Sequence, residues 1–118
     1  MPKFLMLARD DGTAFGALSP KEAEAIIGRY LAWSTGLMEK GHLLASEKLH
    51  DESGRTLSRS AGSIAVTDGP YAEVKEVVGG FWLIEAPDYQ SAVGLASDSP
   101  HLDFGTLEIR QVHELDRG

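Results

Sequence analysis

Charge gathers around one turn of this chain. In "DGPYAEVKE" Asp68 precedes a Gly-Pro step, and Glu73 and Lys75 follow a few residues later. Asp68 can close an Asx-type turn, while Pro70 fixes its own backbone and restricts Gly69. If "AEVKE" is extended, Glu73 and Lys75 project to one side and Val74 to the other. The pair can then form a salt bridge that locks the loop, or both can address a ligand. A carboxylate partly buried at a pocket mouth is a suitable general base, which makes Asp68 and Glu73 candidate catalytic groups and Lys75 a candidate ligand-binding one. The glycines that follow, Gly79 and Gly80, suit a close backbone approach or a bulge. No helix pattern comes after them, so they do not form a phosphate loop.

The histidines offer a second source of proton chemistry. His42, His50, His101 and His113 contain no H-x-H or H-x₃-H pair, so neither a metal site nor a cofactor is expected. His101 lies in "SPHLDFG" with Asp103 two residues on. A carboxylate so placed can orient an imidazole for proton transfer, which makes His101 the third catalytic candidate. Three aromatics join Lys75 as candidate ligand-binding residues: Trp82, Tyr71 and Tyr30. Tyr30 also belongs, with Trp33, to the apolar stripe of a long helix, where core packing is the plainer role. No G-x-S-x-G elbow supports serine hydrolysis. The chain has no cysteine, which removes thiol catalysis, disulfides and sulfur-ligated metals and suits a reducing cytoplasm.

Elements must hold these groups. The 118 residues suffice for one domain with one core, read as a single unit over 1–118. A hydrophobic share of 42% against 25% charged residues argues for a globular chain and against disorder. The net charge of −7, with no basic cluster, opposes binding to nucleic acid or to an anionic membrane surface. "FLMLA" is too short for a signal-peptide core or a membrane span.

"KFLMLAR" reads as a strand ended by "DDGTAFG". "SPKE" at 19–22 opens a helix: Ser19 caps it, Pro20 suits its first position and Glu22 closes a capping box. Ala23, Ile26, Ile27, Tyr30, Trp33 and Leu37 recur at helical spacing until Gly41 stops it. "HLLASEKLH" is a strand, "DESG" a turn and "RTLSRS" a weak return strand, followed by the strands "GSIAVTDG" and "VGGFWLIEA". "PDYQSAVGLASDSP" is a second helix capped by Asp88, and "GTLEIRQVHEL" a last strand whose alternation slips at Val112. Without the hairpin-like excursion this order is two strand–helix–strand units. Right-handed crossovers then put both helices on one face of a mainly antiparallel sheet, an α+β, ferredoxin-like sandwich.

Two helices cover only one face of such a sheet, yet its strands are apolar on both. Along "FWLIEA", Phe81 and Leu83 point one way and Trp82 and Ile84 the other. With Trp82 and Ile84 on the uncovered face, the exposed patch exceeds what soluble monomers tolerate. A two-fold homodimer, sheet against sheet, buries it and encloses a space for a small-molecule ligand.

"DGPYAEVKEVVGGFWLIEAPD" resembles the signature of the DGPF branch of the YCII-related family, close to D-G-P-F-A-E-T-K-E followed by a G-G-F-aromatic strand. Tyr71 stands where Phe is usual and Val74 where Thr is usual; "RYLAW" and "LEIRQV" also match, with Gln111 for a proline. The resemblance covers nearly the whole chain and implies a ferredoxin-like subunit forming a dimeric α/β barrel. It also implies a histidine–aspartate pair in the cleft, for which Tyr30 stands at the histidine's approximate position, so that pair does not carry over. Members of this branch are associated with extracytoplasmic-function sigma factors, a regulatory alternative to cofactor-independent isomerase- or lyase-like chemistry.

Overall fold

Residues 1–13, 16–50, 54–69 and 76–116 are described by a computed structural model of the chain. In chain order the elements are β1 (Lys3–Asp10), α1 (Pro20–Glu39), β2 (Leu43–Lys48), β3 (Arg55–Ser60), β4 (Ser63–Asp68), β5 (Val77–Glu85), α2 (Tyr89–Ala96), a 3-10 helix (Pro100–Asp103) and β6 (Thr106–Gln111).

The helix ends form where their caps are written in the sequence. The Ser19 hydroxyl accepts from the Glu22 amide at 3.1 Å, and the Glu22 carboxylate accepts from the Ser19 amide at 3.2 Å. At the other end the Gly41 amide donates to Met38 and the His42 amide to Leu37, with Gly41 at φ +79°. That closure needs a left-handed residue, a conformation glycine adopts without cost. Asp88 caps α2 by accepting from the Ser91 amide at 2.8 Å.

Four strands form one sheet in the order β2-β5-β1-β6, every pair antiparallel. With α1 between β1 and β2 and α2 between β5 and β6, the chain is an α+β ferredoxin-like sandwich, two helices on one face of the sheet. The excursion departs from expectation. β3 does not return along β2; it pairs with β4 as a separate two-stranded ribbon. The chain enters and leaves this ribbon at one place, where the Gly69 amide donates to the Gly54 carbonyl at 2.9 Å. The ends of β2 and β5 are joined in the same way, by Leu49 N–H to the Gly79 carbonyl at 2.9 Å.

The core lies between sheet and helices. Phe4, Met6, Ala8, Trp82 and Ile84 from the strands, with Ala86 just after β5, meet Leu37, Ala92 and Ala96 from the helices. This corrects the expected sense of β5. Trp82 and Ile84 face the helices, and Phe81 and Leu83 lie on the uncovered face, opposite Leu7 and Leu5. The indole explains the choice. Its N–H needs a hydrogen-bond partner once buried, and α1 supplies one, Ser34 Oγ at 2.9 Å. Trp33 packs edge-on to Trp82, with ring centroids 4.9 Å apart. No helix among the described residues is long and apolar enough to cross a membrane.

Candidate functional site

Three elements converge at the C-terminal end of β1. Period-two alternation carries Asp10 onto the same face as Phe4, Met6 and Ala8, so this carboxylate is buried rather than solvated. It accepts from the Gly12 amide at 2.7 Å. Tyr30 arrives from the middle of α1. His101 arrives from the 3-10 helix, whose first turn is capped by Ser99 Oγ accepting from the His101 amide at 3.2 Å.

The imidazole is 2% exposed and bonded at both nitrogens. Nε2 lies 2.9 Å from the Arg9 carbonyl oxygen and Nδ1 lies 2.8 Å from the Tyr30 hydroxyl. A carbonyl oxygen only accepts, so Nε2 carries a proton. In the neutral ring Nδ1 is then the acceptor and the phenol donates to it. Burial first, and the charge of Asp10 second, push the Tyr30 phenol up to about 12, so its proton is held throughout the physiological range. Tyr30 stacks parallel to Trp82 at 6.3 Å between centroids, which fixes the ring plane.

Gly105 makes this convergence possible. A Cβ on Gly105 would run into the Arg9 carbonyl oxygen that His101 binds, and would come within 3.0 Å of the Asp10 side chain. A Cβ on Gly79 would sit 3.5 Å from the Asp10 carboxylate. On Gly80 it would meet the Glu47 carbonyl at 3.0 Å, the close backbone approach expected of this glycine pair.

Of the sequence-derived candidates, the structure unites His101, Tyr30 and Trp82. Trp82 belongs to the helix-covered side, behind Tyr30, rather than to the open face. His101 does not pair with Asp103. Residues two apart on a 3-10 helix point to different sides, and Asp103 instead takes the Arg29 guanidinium at 2.8 Å, tying the 3-10 helix to α1 beside Tyr30. Asp68 lies on the ribbon, exposed and ion-paired with Arg55 at 3.2 Å, and is not among the groups around His101. Tyr71, Glu73 and Lys75 lie outside the described residues. The segment containing them leads into Val77, which pairs with Asp10. Sequence reasoning missed Asp10, although its parity with Phe4 and Met6 was a usable signal. Among the described residues no three His, Asp or Glu side chains converge as a metal site requires. Two surface clefts lie elsewhere, one of about 360 Å³ between the first residues and 111–114, the other of about 220 Å³ between α2, the 3-10 helix and β6.

Comparison with known proteins bears on the whole of this arrangement. Residues 2–116 match the YCII-related domain. The chain belongs to the YCII-related family. It is also similar to an uncharacterised protein of Rhizobium meliloti (strain 1021), with 31% identity over 110 residues that cover 91% of this chain and 89% of the relative. The YCII-related match spans β1 through β6, so Asp10, Tyr30 and His101 all lie inside it.

Proposed function

We propose that this YCII-related protein is a cytoplasmic homodimer that binds a small metabolite and moves a proton on it without a cofactor, in an isomerase- or lyase-like reaction. The observation that carries this reading is the buried imidazole of His101, held between the Arg9 carbonyl and the Tyr30 hydroxyl beside the buried Asp10. Tyr30, only partly buried, is the group that meets the ligand. As its oxygen takes a proton from the ligand, its own proton passes to Nδ1 of His101. The imidazolium so formed keeps its Nε2–H on the Arg9 carbonyl. The reverse transfer returns a proton to another position or expels a leaving group. In this scheme Tyr71 and Lys75 are ligand-binding side chains and Glu73 is a further acid–base group. The dimer reading is supported by the uncovered strip of Leu5, Leu7, Phe81 and Leu83.

Solvent-deuterium incorporation into a panel of small carbonyl and hydroxy acids, followed by NMR with the full chain, tests the proposal. One compound class exchanges, and Tyr30→Phe and His101→Gln each slow the exchange by about 100-fold or more while the circular dichroism stays native. Absence of exchange across the panel, or undiminished exchange in both variants, overturns proton transfer. Co-purification of an extracytoplasmic-function sigma factor with both variants would favour the regulatory alternative.

A further inference from the structure

The β3–β4 ribbon is amphipathic, and among the described residues its apolar side has no cover. Leu57 stands opposite Val66, and Ile64 stands opposite Arg59 on the same face. Leu57, Val66 and Ile64 are 64%, 59% and 51% exposed. The other face carries Thr56, Ser58, Ser60, Ser63, Ala65 and Thr67. Among the described residues the ribbon packs extensively against neither the helices nor the four-stranded sheet. An isolated two-stranded ribbon is marginal in water, so this segment needs an apolar layer to lie on.

The open face of the sheet is a surface of matching character. On the uncovered side of the sheet Leu5 and Leu7 lie beside Leu83 and Phe81. The charges around it are unevenly matched. Lys3 is paired with Glu114, and Arg9 and Arg110 are both paired with Glu108. Glu47, next to Phe81, and Glu85, next to Lys3, have no ion pair among the described residues. On the ribbon, Arg59 likewise has none. Thus the apolar face of the ribbon offers an unpaired cation, and the apolar face of the sheet offers unpaired carboxylates.

We propose that the β3–β4 ribbon is a dimerisation arm: its Leu57–Ile64–Val66 face docks on the open sheet face of a second copy, with Arg59 reaching the partner's Glu47, and the exchange is reciprocal. This rests on the dimer reading above and names the segment that crosses between subunits. Two-fold symmetry doubles each contact. Both apolar surfaces are then buried in one interface, which leaves neither a bare ribbon nor a bare sheet. A charge pair at its edge fixes the orientation.

Sedimentation equilibrium of the full chain and of surface variants tests the arm. The natural sequence sediments as a dimer at micromolar concentration. Leu57→Asp weakens it by about 100-fold, and Arg59→Glu and Glu47→Arg each by about tenfold, with native circular dichroism in every case. Mixing Arg59→Glu with Glu47→Arg makes both charge contacts of the mixed dimer attractive and yields a heterodimer tighter than either variant alone. A monomeric natural sequence overturns the dimer reading and the arm together. A dimer whose dissociation constant is unmoved by Leu57→Asp and Arg59→Glu overturns the arm and leaves the dimer standing.

Discussion

The two faces of the four-stranded sheet are built from the same kinds of residue and meet different fates. Phe4, Met6, Trp82 and Ile84 are buried beneath α1 and α2, and three of them are fully excluded from solvent. Leu5, Leu7, Phe81 and Leu83, one step along the same strands, lie on the open side and are only partly buried. Alternation decides which residues share a face. It does not decide which face the helices take. That choice follows from what each helix brings: α1 carries Ser34 for the indole N–H, and α2 brings the small Ala92 and Ala96 against the strands.

The sharpest way to break this comparison is to truncate neighbours on opposite faces. Ile84→Ala is expected to cost about 3–4 kcal/mol, because it leaves a cavity in a packed core. Leu83→Ala costs about 1 kcal/mol in the dilute subunit, where its side chain is already partly in water. If the open face is an interface, the second cost rises with protein concentration while the first does not. Urea unfolding at two concentrations measures both, and equal costs at high dilution would erase the distinction between the faces.

Gly105→Ala probes the rim of the covered face. The added methyl displaces the Arg9 carbonyl from His101, and destabilisation of about 1–3 kcal/mol is expected. Faster exchange of the His101 Nε2 proton, seen by NMR, would identify that bond as the one disturbed. Gly28→Ala acts on the helix that does the covering. A Cβ there meets nothing within 4 Å, so stabilisation of about 1 kcal/mol is expected in a thermal melt. A loss instead would mean that the outer side of α1 is occupied.

Two effects of pH are smaller. The folded Tyr30 phenol titrates at about 12, above its ordinary value of 10.0. Its contribution is therefore complete below pH 10.0 and is lost as pH rises towards 12. Alkaline unfolding of Tyr30→Phe should lack this component. The Ser91 amide and hydroxyl hold the exposed Asp88 carboxyl below its ordinary 3.8. The capping contribution is accordingly present above that value and fades as pH falls beneath it. Asp88→Asn, which caps without titrating, should flatten the acid limb of a stability–pH curve.

Helix ends and strand positions were legible because their causes are local. "SPKE", Gly41 and Asp88 each act within one turn, and each forms the cap that its residue types dictate. The sense of β5 was not legible, since both faces of β1 are apolar and only the docked helices break the tie. The ribbon was misread for a related reason. "RTLSRS" is polar enough to pair with either neighbour, and no side-chain pattern specifies its register with β2. Within the candidate site, His101 stood out in the sequence but its partner did not. Tyr30 lies 71 residues away in the chain, and contacts at that range come from the crossover of α1 over the sheet. Asp10 was hidden in plain view, because "RDDG" reads as a turn unless the parity of β1 is followed to its last residue.

The paired amides at Gly54–Gly69 and at Leu49–Gly79 mean that the polypeptide departs from and rejoins the sandwich through a single doorway. Whatever is threaded through that doorway adds no new crossing and leaves strand order untouched. The appendage is thus a cassette: changing it changes what the subunit can dock against, while the strand order behind it stays as it was.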